Sequence, residues 1–432
     1  MRISPTVPGA LSALLATPFL VLWPSAWTLL ACTLAWLALL GIDVLRTPDP
    51  RRVAVRREAP GQLRLGTSAT GRLLLTNPGR APMQLHVRDA WNPTAGLARQ
   101  REHLRIPGGE RRAISQVFTP TRRGEHSSRA LVIDSRSPFG LMRRSARPAV
   151  PGRMLALHAF GSRRHLPSRV RRLRELEGLA AVHQRGQGTE FDSLRDFVDG
   201  DDVRSIDWRA TARRRSVVVR TWRPERDRHV LIVVDTSRTS AARIGEGPRL
   251  DAALDGALLL TALATEAGDR VDVLCIDRIP HVSVSGSSPR TVLHDVVAAT
   301  SPVQPALVET DWEQVAAQIE RRTRRQALVV LLTPVEPSVV EQGLLPVVSR
   351  LSAAHPVVIA SVADPSLAQL AAGRADAEAV YRAAAASRTM LERDAVSQLL
   401  TRAGAHVVDA GPDSLPQALA DRYLLLKAAG RL

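Results

Sequence analysis

The pattern of hydrophobic and polar positions divides the chain into four regions. Apolar residues dominate from Ala10 to Leu45. From residue 53 to about 150, short alternating stretches are separated by turn residues, which is typical of β-strands. A basic stretch follows, and from residue 229 onward apolar runs rich in β-branched residues alternate with helical periodicity. We therefore predict a membrane segment (1–50), a β-module (51–150), a basic connector (151–228) and an α/β domain (229–432).

Two apolar runs make up the first region and predict a two-helix transmembrane hairpin. The run Ser25 to Leu45 has about the ~20 residues that a helix needs to cross a bilayer, whereas Ala10 to Trp23 is shorter and contains Pro18. Arg2 precedes the runs and several arginines follow them, so the positive-inside rule places both ends and the bulk of the chain in the cytoplasm. A single span with an external body is the alternative. A signal peptide is disfavoured, because no small-residue cleavage site follows a short apolar core.

The second region predicts an Ig-like β-sandwich. Alternating stretches such as Gly71–Thr76, Met83–Arg88 and Ala113–Phe118 are bounded by the turn sequences Asn77-Pro78-Gly79 and Pro107-Gly108-Gly109. Their spacing of roughly 8–12 residues is that of a sandwich of short strands. This region shows no nucleophile, metal cluster or paired carboxylates, so we expect a structural role, with a binding role for its face left open.

The last region predicts a doubly wound, mostly parallel sheet with helices on both faces. Buried strands at 229–234, 270–276, 327–332, 356–362 and 406–408 alternate with helical segments. This alternation is the signature of an open α/β fold. Ligands in such folds bind at the carboxyl ends of the strands.

A candidate metal loop follows the first of these strands. Asp235, Ser237 and Thr239 place three oxygen ligands on one tight loop, and Thr310, just before a later helix, can bring a fourth to the same rim. Mg²⁺ prefers hard oxygen ligands in octahedral geometry. One carboxylate and several neutral hydroxyls leave such an ion electron-poor, so that a carboxylate from a partner protein can complete its shell.

Composition narrows the function classes. The net charge is +17, but the 59 basic residues include one lysine, Lys427, which points to the codon usage of a GC-rich genome rather than to a phosphate-binding surface. Aromatic residues are 3% of the chain, too few for base-stacking platforms, so no nucleic acid is expected as a partner. The two cysteines exclude a disulfide framework and a cysteine-based zinc site.

The connector contains an unusual stretch from Gly188 to Arg220, in which single large apolar residues stand among charged ones. Such a segment cannot form its own core, so we expect it to clamp onto a neighbouring domain with Trp208 anchored in a hydrophobic slot. The neighbouring Asp196, Asp199, Asp201 and Asp202 raise the alternative of a calcium loop, but the EF-hand spacing and its terminal glutamate are absent.

Two resemblances rest on these residues. The C-terminal half resembles a von Willebrand factor A domain, whose metal-ion-dependent adhesion site is matched at Asp235, Ser237, Thr239 and Thr310. The family's distant aspartate is replaced by Thr333-Pro334, with Glu336 close by, which puts Mg²⁺ binding in doubt. The whole chain resembles the bacterial domain of unknown function 58 family; the matching residues include Ser137-Pro138-Phe139-Gly140-Leu141, Gly188, Glu190-Phe191, Leu194-Arg195, Gly200-Asp201, Ile206-Asp207-Trp208 and Ala212-Arg213.

The family resemblance implies a membrane-tethered adaptor that works with a MoxR-type AAA+ ATPase or its client protein. No phosphate-binding loop and no nucleophile elbow is present in the sequence, so we do not expect an enzyme. The sequence therefore predicts a non-enzymatic adaptor in the cell membrane, in contact with lipid, that binds proteins through an adhesion-type metal loop. The alternative is a metal-independent structural membrane scaffold.

Overall fold

The computed structural model describes residues 2–183, 190–198, 201–214, 216–223, 228–245, 247–286, 288 and 290–432. The chain separates into two compact units, Met1–Ala159 and Phe160–Leu432. Each unit has its own sheets and its own apolar core.

The N-terminal unit consists of three helices and ten strands. In chain order they are β1 (Arg2–Pro5), α1 (Val7–Leu11), α2 (Thr17–Leu22), α3 (Ala26–Arg46), β2 (Ala54–Glu58), β3 (Gln62–Arg64), β4 (Ala69–Thr76), β5 (Met83–Trp91), β6 (Arg101–Ile106), β7 (Arg111–Phe118), β8 (Gly124–Arg136), β9 (Met142–Ala146) and β10 (Arg153–Leu157).

These strands form two sheets that share an apolar core. One sheet has the order β2-β4-β7; the other runs β1-β9-β8-β10-β3, with β5 pairing with β8 and β6 with β5. Leu73 and Leu75 of the first sheet and Leu85, Val87 and Ile133 of the second belong to one buried cluster. Side chains along β5 alternate between buried and less buried positions, as the sequence pattern predicts. The assignment to the Ig-like class stays a prediction.

One of the two predicted membrane helices has the length for a span. Helix α3 is about 31 Å long, close to the ~30 Å hydrocarbon thickness of a bilayer. Among the described residues, it lies in the single helix that is both long and apolar enough to cross a membrane. The first run is broken into α1, a 3₁₀ segment at Ser12–Ala16, and α2. The prediction of two regular spanning helices is therefore supported for one of them.

A buried ion pair joins the two sheets of the N-terminal unit. Arg57 of β2 donates from Nη1 and Nη2 to the carboxylate of Asp89 on β5, at 2.6 and 2.9 Å. Gln116, Ser128 and Trp91 donate to the same carboxylate. Burial acts to raise the pKa of Asp89, but the hydrogen bonds from Arg57 and Gln116 and the charge of Arg57 outweigh burial and lower it. This carboxylate is therefore fully compensated.

The C-terminal unit alternates strands and helices. In chain order they are α4 (Leu166–His183), β11 (Glu190–Asp196), α5 (Trp208–Arg214), β12 (Val218–Arg223), β13 (His229–Asp235), β14 (Arg243–Ile244), β15 (Gly247–Pro248), α6 (Arg249–Glu266), β16 (Arg270–Ile276), β17 (Pro280–Ser285), α7 (Val292–Thr300), α8 (Trp312–Arg322), β18 (Leu328–Leu332), α9 (Pro337–Val339), α10 (Leu345–Ala354), β19 (Val357–Val362), α11 (Ser366–Ala371), α12 (Ala377–Arg402), β20 (His406–Ala410) and α13 (Leu415–Ala428).

The main sheet of this unit has the order β17-β16-β13-β18-β19-β20. Its pairs are parallel except for β16 with β17. Every residue of β18 and β19 is buried, as expected for a parallel sheet covered on both faces. Helices α8, α10 and α12 supply side chains to the core on one face, while α6 packs against β13 and β16 and contacts α13. The predicted mixed α/β architecture of this unit is confirmed.

We expect Asp89→Asn to destabilise the N-terminal unit by about 3–5 kcal/mol, because Arg57 stays buried without its counter-charge. The measurement is the urea unfolding midpoint of the detergent-solubilised full chain. Since the pKa of Asp89 is lowered in the folded protein, the wild-type advantage is present above the ordinary aspartate pKa of about 3.9 and is lost as the pH falls through the folded pKa.

The matched control is the double variant Arg57→Met/Asp89→Leu, which removes both charges and should recover much of the lost stability. An Asp89→Asn protein with the wild-type midpoint at neutral pH would contradict the role given to this pair.

Candidate functional site

The candidate site lies at the point in the parallel sheet where the strand order reverses. Strand β13 is the first strand of the sheet in the chain, and its neighbours are β16 on one side and β18 on the other. The connections leaving the two sides run over opposite faces, which opens a crevice at the carboxyl ends of the strands. Asp235 is the last residue of β13 and stands at this position.

Three segments of the chain bring hydrogen-bond donors to the Asp235 carboxylate. The Thr310 hydroxyl, just before α8, donates to Asp235 Oδ1 at 2.8 Å, and the Thr333 hydroxyl, just after β18, donates to Oδ2 at 2.8 Å. The backbone N–H of Ser237 also donates to Oδ1, at 2.9 Å. The hydroxyls of Ser237 and Thr239 lie 2.9 Å apart and are hydrogen-bonded to each other. The four residues predicted for the metal loop are therefore brought together.

The sequence indicated only that a carboxylate is missing at Thr333-Pro334. The contact between the Thr333 hydroxyl and Asp235 was not predicted. This hydroxyl lies against the second oxygen of the Asp235 carboxylate, 2.8 Å from Oδ2. Glu336, the nearby carboxylate, is bound elsewhere: Arg249 donates to Glu336 Oε1 at 2.7 Å, and Arg393 lies 4.0 Å from the same atom. The site consequently has one carboxylate surrounded by hydroxyls.

The cluster is closed to solvent in this arrangement. Asp235 is 3% exposed and Ser237 2%, and Thr239, Thr310 and Thr333 are also buried. Burial is the main influence on Asp235 and raises the pKa of its carboxyl group; the hydrogen bonds from Ser237, Thr310 and Thr333 offset only part of that increase. The donors are neutral, so the site favours a proton or a cation on this carboxylate.

The donor set fits a hard cation in ligand type and spacing. Ligands about 2.1 Å from Mg²⁺ in an octahedron lie about 3 Å from their neighbours, close to the Thr310–Asp235 and Ser237–Thr239 separations of 2.8 and 2.9 Å. The charge fits less well, because one carboxylate neutralises half of a divalent ion. Within the described residues, no group of three or more His, Cys, Asp or Glu side chains is placed to hold a metal. The hydroxyls would have to supply the other protein ligands.

Arg249 is a second residue that the sequence did not reveal. It opens α6 and is 7% exposed, and its Nη1 donates to the Thr239 carbonyl oxygen at 3.0 Å as well as to Glu336. A cation in the first turn of a helix opposes the helix dipole, so the arginine at the first position of this largely apolar helix is the signal that could have found it. This guanidinium ties the metal-loop backbone to the segment following β18.

The stretch that resembles the family block forms a hairpin. Strands β11 and β12 pair antiparallel, and Asp201 binds Arg195 through two hydrogen bonds of 2.5 and 2.6 Å. Trp208 is 66% exposed, so the prediction that it is anchored in a hydrophobic slot is wrong. Few apolar residues lie near Trp208 in the sequence, so none of them covers its side chain. The sequence does not show whether a more distant part of the chain covers it. Gly188, Asp199 and Gly200 lie outside the described residues.

Residues 193–397 match the model of a family described as protein of unknown function DUF58. This chain carries a DUF58 region. The resemblance predicted from the sequence is confirmed for residues 193–397, a region that includes most of the hairpin, the Asp235 loop, Thr310 and Thr333.

Three curated relatives match part of the chain, and each is described as an uncharacterized protein. Proteins of Mycobacterium bovis and of two Mycobacterium tuberculosis strains are 27% identical over 182 residues, which are 42% of this chain and 56% of the relatives. The chain thus spans little more than half the length of these proteins.

Two solved structures are also similar in part. The SpRpn10 VWA domain has a TM-score of 0.28 at 15% identity and covers 46% of this chain and 94% of its own. A structure of a complex between zinc 2-glycoprotein and prolactin inducible protein from human seminal plasma has a TM-score of 0.20 at 12% identity, covering 24% of this chain and 92% of its own.

We expect Thr333→Asp to create or strengthen a Mg²⁺ site. The new carboxylate would lie against that of Asp235, so the variant should be less stable than wild type in EDTA and regain stability with Mg²⁺. The measurement is the melting temperature of the detergent-solubilised chain across a Mg²⁺ titration. Thr333→Asn is the matched control, with similar volume and no charge. If Thr333→Asp responds to Mg²⁺ no more than Thr333→Asn does, the oxygens are not arranged as cation ligands.

Proposed function

We propose that this DUF58 chain is a membrane-anchored, non-enzymatic scaffold that binds protein partners without requiring a metal at Asp235. The observation that carries this proposal is the closed bonding of the Asp235 carboxylate. Both of its oxygens accept hydrogen bonds from the protein's own groups, and the residue is 3% exposed. A partner carboxylate has no open position there to occupy.

The membrane anchor of this proposal is α3 together with the shorter apolar stretch before it. Strand β1 pairs with β9 of the same unit, so the residues before the first apolar stretch lie beside the folded sheet. The chain that follows α3 enters the same unit at β2. If α3 crosses the bilayer, the stretch from Thr6 to Ser25 has to cross it as well, although its helix is irregular. Trp36 Nε1 donates to Ser12 Oγ at 3.0 Å and links the two stretches.

The proposed side of the membrane is the cytoplasm. Arg46, Arg51 and Arg52 are exposed just after α3, which supports the positive-inside assignment. Arg57 does not count toward that charge, since it is buried against Asp89.

The proposed partner is a MoxR-type AAA+ ATPase or its client protein, as the family resemblance implies. The hairpin within the DUF58 region supports protein binding, because Val198, Val203 and Trp208 are 62%, 62% and 66% exposed. Exposed tryptophan and valine side chains close together in sequence are the kind of residues that interfaces bury. In this scheme the hairpin contacts the partner and the membrane segment fixes its location.

An adhesion-type Mg²⁺ loop is the second candidate. The oxygen spacing around Asp235 and its raised pKa favour it, since both are what an empty or protonated cation site would show. In this case Mg²⁺ would draw Asp235, Ser237, Thr239 and Thr310 into its shell, and a partner carboxylate would complete it. Proton and metal would compete for Asp235, so binding would weaken as the pH falls.

We expect Trp208→Ser to weaken partner binding at least tenfold, because hot-spot tryptophans contribute on the order of 2 kcal/mol or more. The measurement is capture of a MoxR-type ATPase by the detergent-solubilised full chain, with Mg²⁺ and with EDTA. Tyr381→Ser is the matched control, because Tyr381 is 79% exposed on α12. Binding should be insensitive to EDTA and to Asp235→Asn.

The outcomes separate the two candidates. Capture that requires Mg²⁺ and is lost in Asp235→Asn would favour the adhesion loop over the scaffold. Capture unaffected by every variant would remove the hairpin from the interface, and absence of capture would remove this class of partner.

For topology, a reporter fused after Leu432 that works only in the cytoplasm should be active, and one that works only outside should be silent. The reverse pattern would overturn the proposed orientation. A cysteine-labelling assay with a membrane-impermeant reagent at Glu125→Cys gives an independent reading, because Glu125 is exposed in the N-terminal unit.

A further inference from the structure

The turn from Ser137 to Met142, called the clamp turn below, holds the end of α3. The Asp43 carboxylate accepts hydrogen bonds from the Ser137 hydroxyl and from the backbone N–H groups of Phe139, Leu141 and Met142. Asp43 is 0% exposed. An acidic residue in an apolar helix is expensive unless its oxygens are satisfied, and here four donors satisfy them.

The same turn holds the chain before the first apolar stretch. The Thr6 N–H donates to the Leu141 carbonyl oxygen at 2.8 Å, and the Thr6 hydroxyl donates to the carbonyl oxygens of Gly140 and Leu141. A Cβ atom at Gly9 would lie 2.1 Å from the Leu141 oxygen, so a larger residue does not fit there. Both ends of the membrane segment are therefore fixed to one turn of the folded unit.

These contacts set the height of the clamp turn relative to the membrane. Asp43 lies three residues before the end of α3, which is about 4.5 Å along the axis. Since α3 is about as long as the hydrocarbon layer is thick, its last turn lies at the boundary between lipid and headgroups. Phe139 donates its N–H to Asp43, so it lies at the same boundary, and its side chain is 56% exposed.

Basic side chains surround this level. Arg46 ends α3, Arg136 ends β8 and Arg143 pairs with it across β8 and β9; all three are exposed. Arg143 donates to Ser4 Oγ at 2.8 Å and lies 3.8 Å from the Asp134 carboxylate. The charges of Arg143 and Asp134 therefore partly neutralise each other. Exposed arginines beside an exposed phenylalanine fit a surface of anionic headgroups over hydrocarbon.

We propose that the clamp turn is a lipid-contact surface, with Phe139 inserted in the interfacial layer and Arg46, Arg136 and Arg143 on the phosphates of anionic phospholipids. The proposal rests on the membrane anchoring proposed above. It adds that the N-terminal unit has a fixed position at the bilayer surface. The N-terminal unit is held at the bilayer by the seven hydrogen bonds that Asp43 and Thr6 form with the clamp turn and by lipid contacts, instead of moving on a free linker.

The test places a spin label at Phe139→Cys in a Cys32→Ala background; Cys275 is 0% exposed and does not compete for the label. The full chain is reconstituted in vesicles of phosphatidylcholine with phosphatidylglycerol. We expect the label at 139 to be more accessible to oxygen than to a water-soluble nickel complex. The control is Glu125→Cys at the other end of β8, about 36 Å along the strand from Arg136, which precedes the clamp turn. At residue 125 the nickel complex should be favoured.

A second measurement addresses the arginines. Spin-labelled phosphatidylglycerol should associate with the wild-type chain several-fold more strongly than spin-labelled phosphatidylcholine. Arg136→Gln/Arg143→Gln should reduce this preference, by about fivefold per arginine at most. The matched control, Arg122→Gln/Arg129→Gln, changes two exposed arginines near the other end of β8 and should leave the preference unchanged.

Asp43→Asn should release the label at 139 to water, because an amide cannot accept all four hydrogen bonds. Vesicle flotation distinguishes a failure of the membrane anchor from a failure of the lipid-contact surface. A wild-type chain that does not float with vesicles contradicts the membrane anchor itself. A chain that floats while residue 139 stays in water, or that shows no preference for the anionic lipid, overturns the lipid-contact surface and leaves the anchor standing.

Discussion

A carboxylate removed from water must be given hydrogen-bond donors, a cation or a proton, and three of the buried aspartates of this protein meet this constraint in different ways. Asp89 receives a guanidinium and three neutral donors inside the N-terminal unit. Asp43 receives four donors from the clamp turn at the end of α3. Asp235 receives neutral donors at the switch point of the parallel sheet. The three solutions differ in the charge of the donors, since a guanidinium compensates Asp89 whereas Asp43 and Asp235 receive neutral donors.

The pKa shifts of Asp89 and Asp235 have opposite directions, which reflects this difference in their donors. Compensation exceeds the cost of burial at Asp89, whose pKa is lowered, whereas burial prevails at Asp235, whose pKa is raised. A fully compensated carboxylate holds two sheets together and gains nothing from a further ligand. An under-compensated one at the carboxyl end of a strand retains an affinity for positive charge. Asp235 is for this reason the residue at which the chemistry of the α/β unit can change.

The regular elements and the site loop were predictable, and the long-range contacts were not. Periodicity predicted α3 and the buried strands of the α/β unit because runs of apolar residues have few other solutions. The order of strand and helix predicted that Asp235 and Thr310 meet at one rim. Thr333 was read only as a missing carboxylate, since its hydroxyl contact depends on the register of β18 beside β13. Asp43 was visible as the single acidic residue in the long apolar run, but its partners are nearly a hundred residues away.

Both oxygens of the Asp235 carboxylate are already hydrogen-bonded, and this is the argument for a proposed scaffold that does not depend on a metal. With a hydroxyl rather than a second carboxylate beside Asp235, the cluster carries at most one negative charge, whereas two adjacent carboxylates would repel each other. The hydroxyls of Thr310 and Thr333 point at this carboxylate, and all three residues are buried. In the proposed function, the contact with a partner therefore falls to exposed apolar residues such as Trp208.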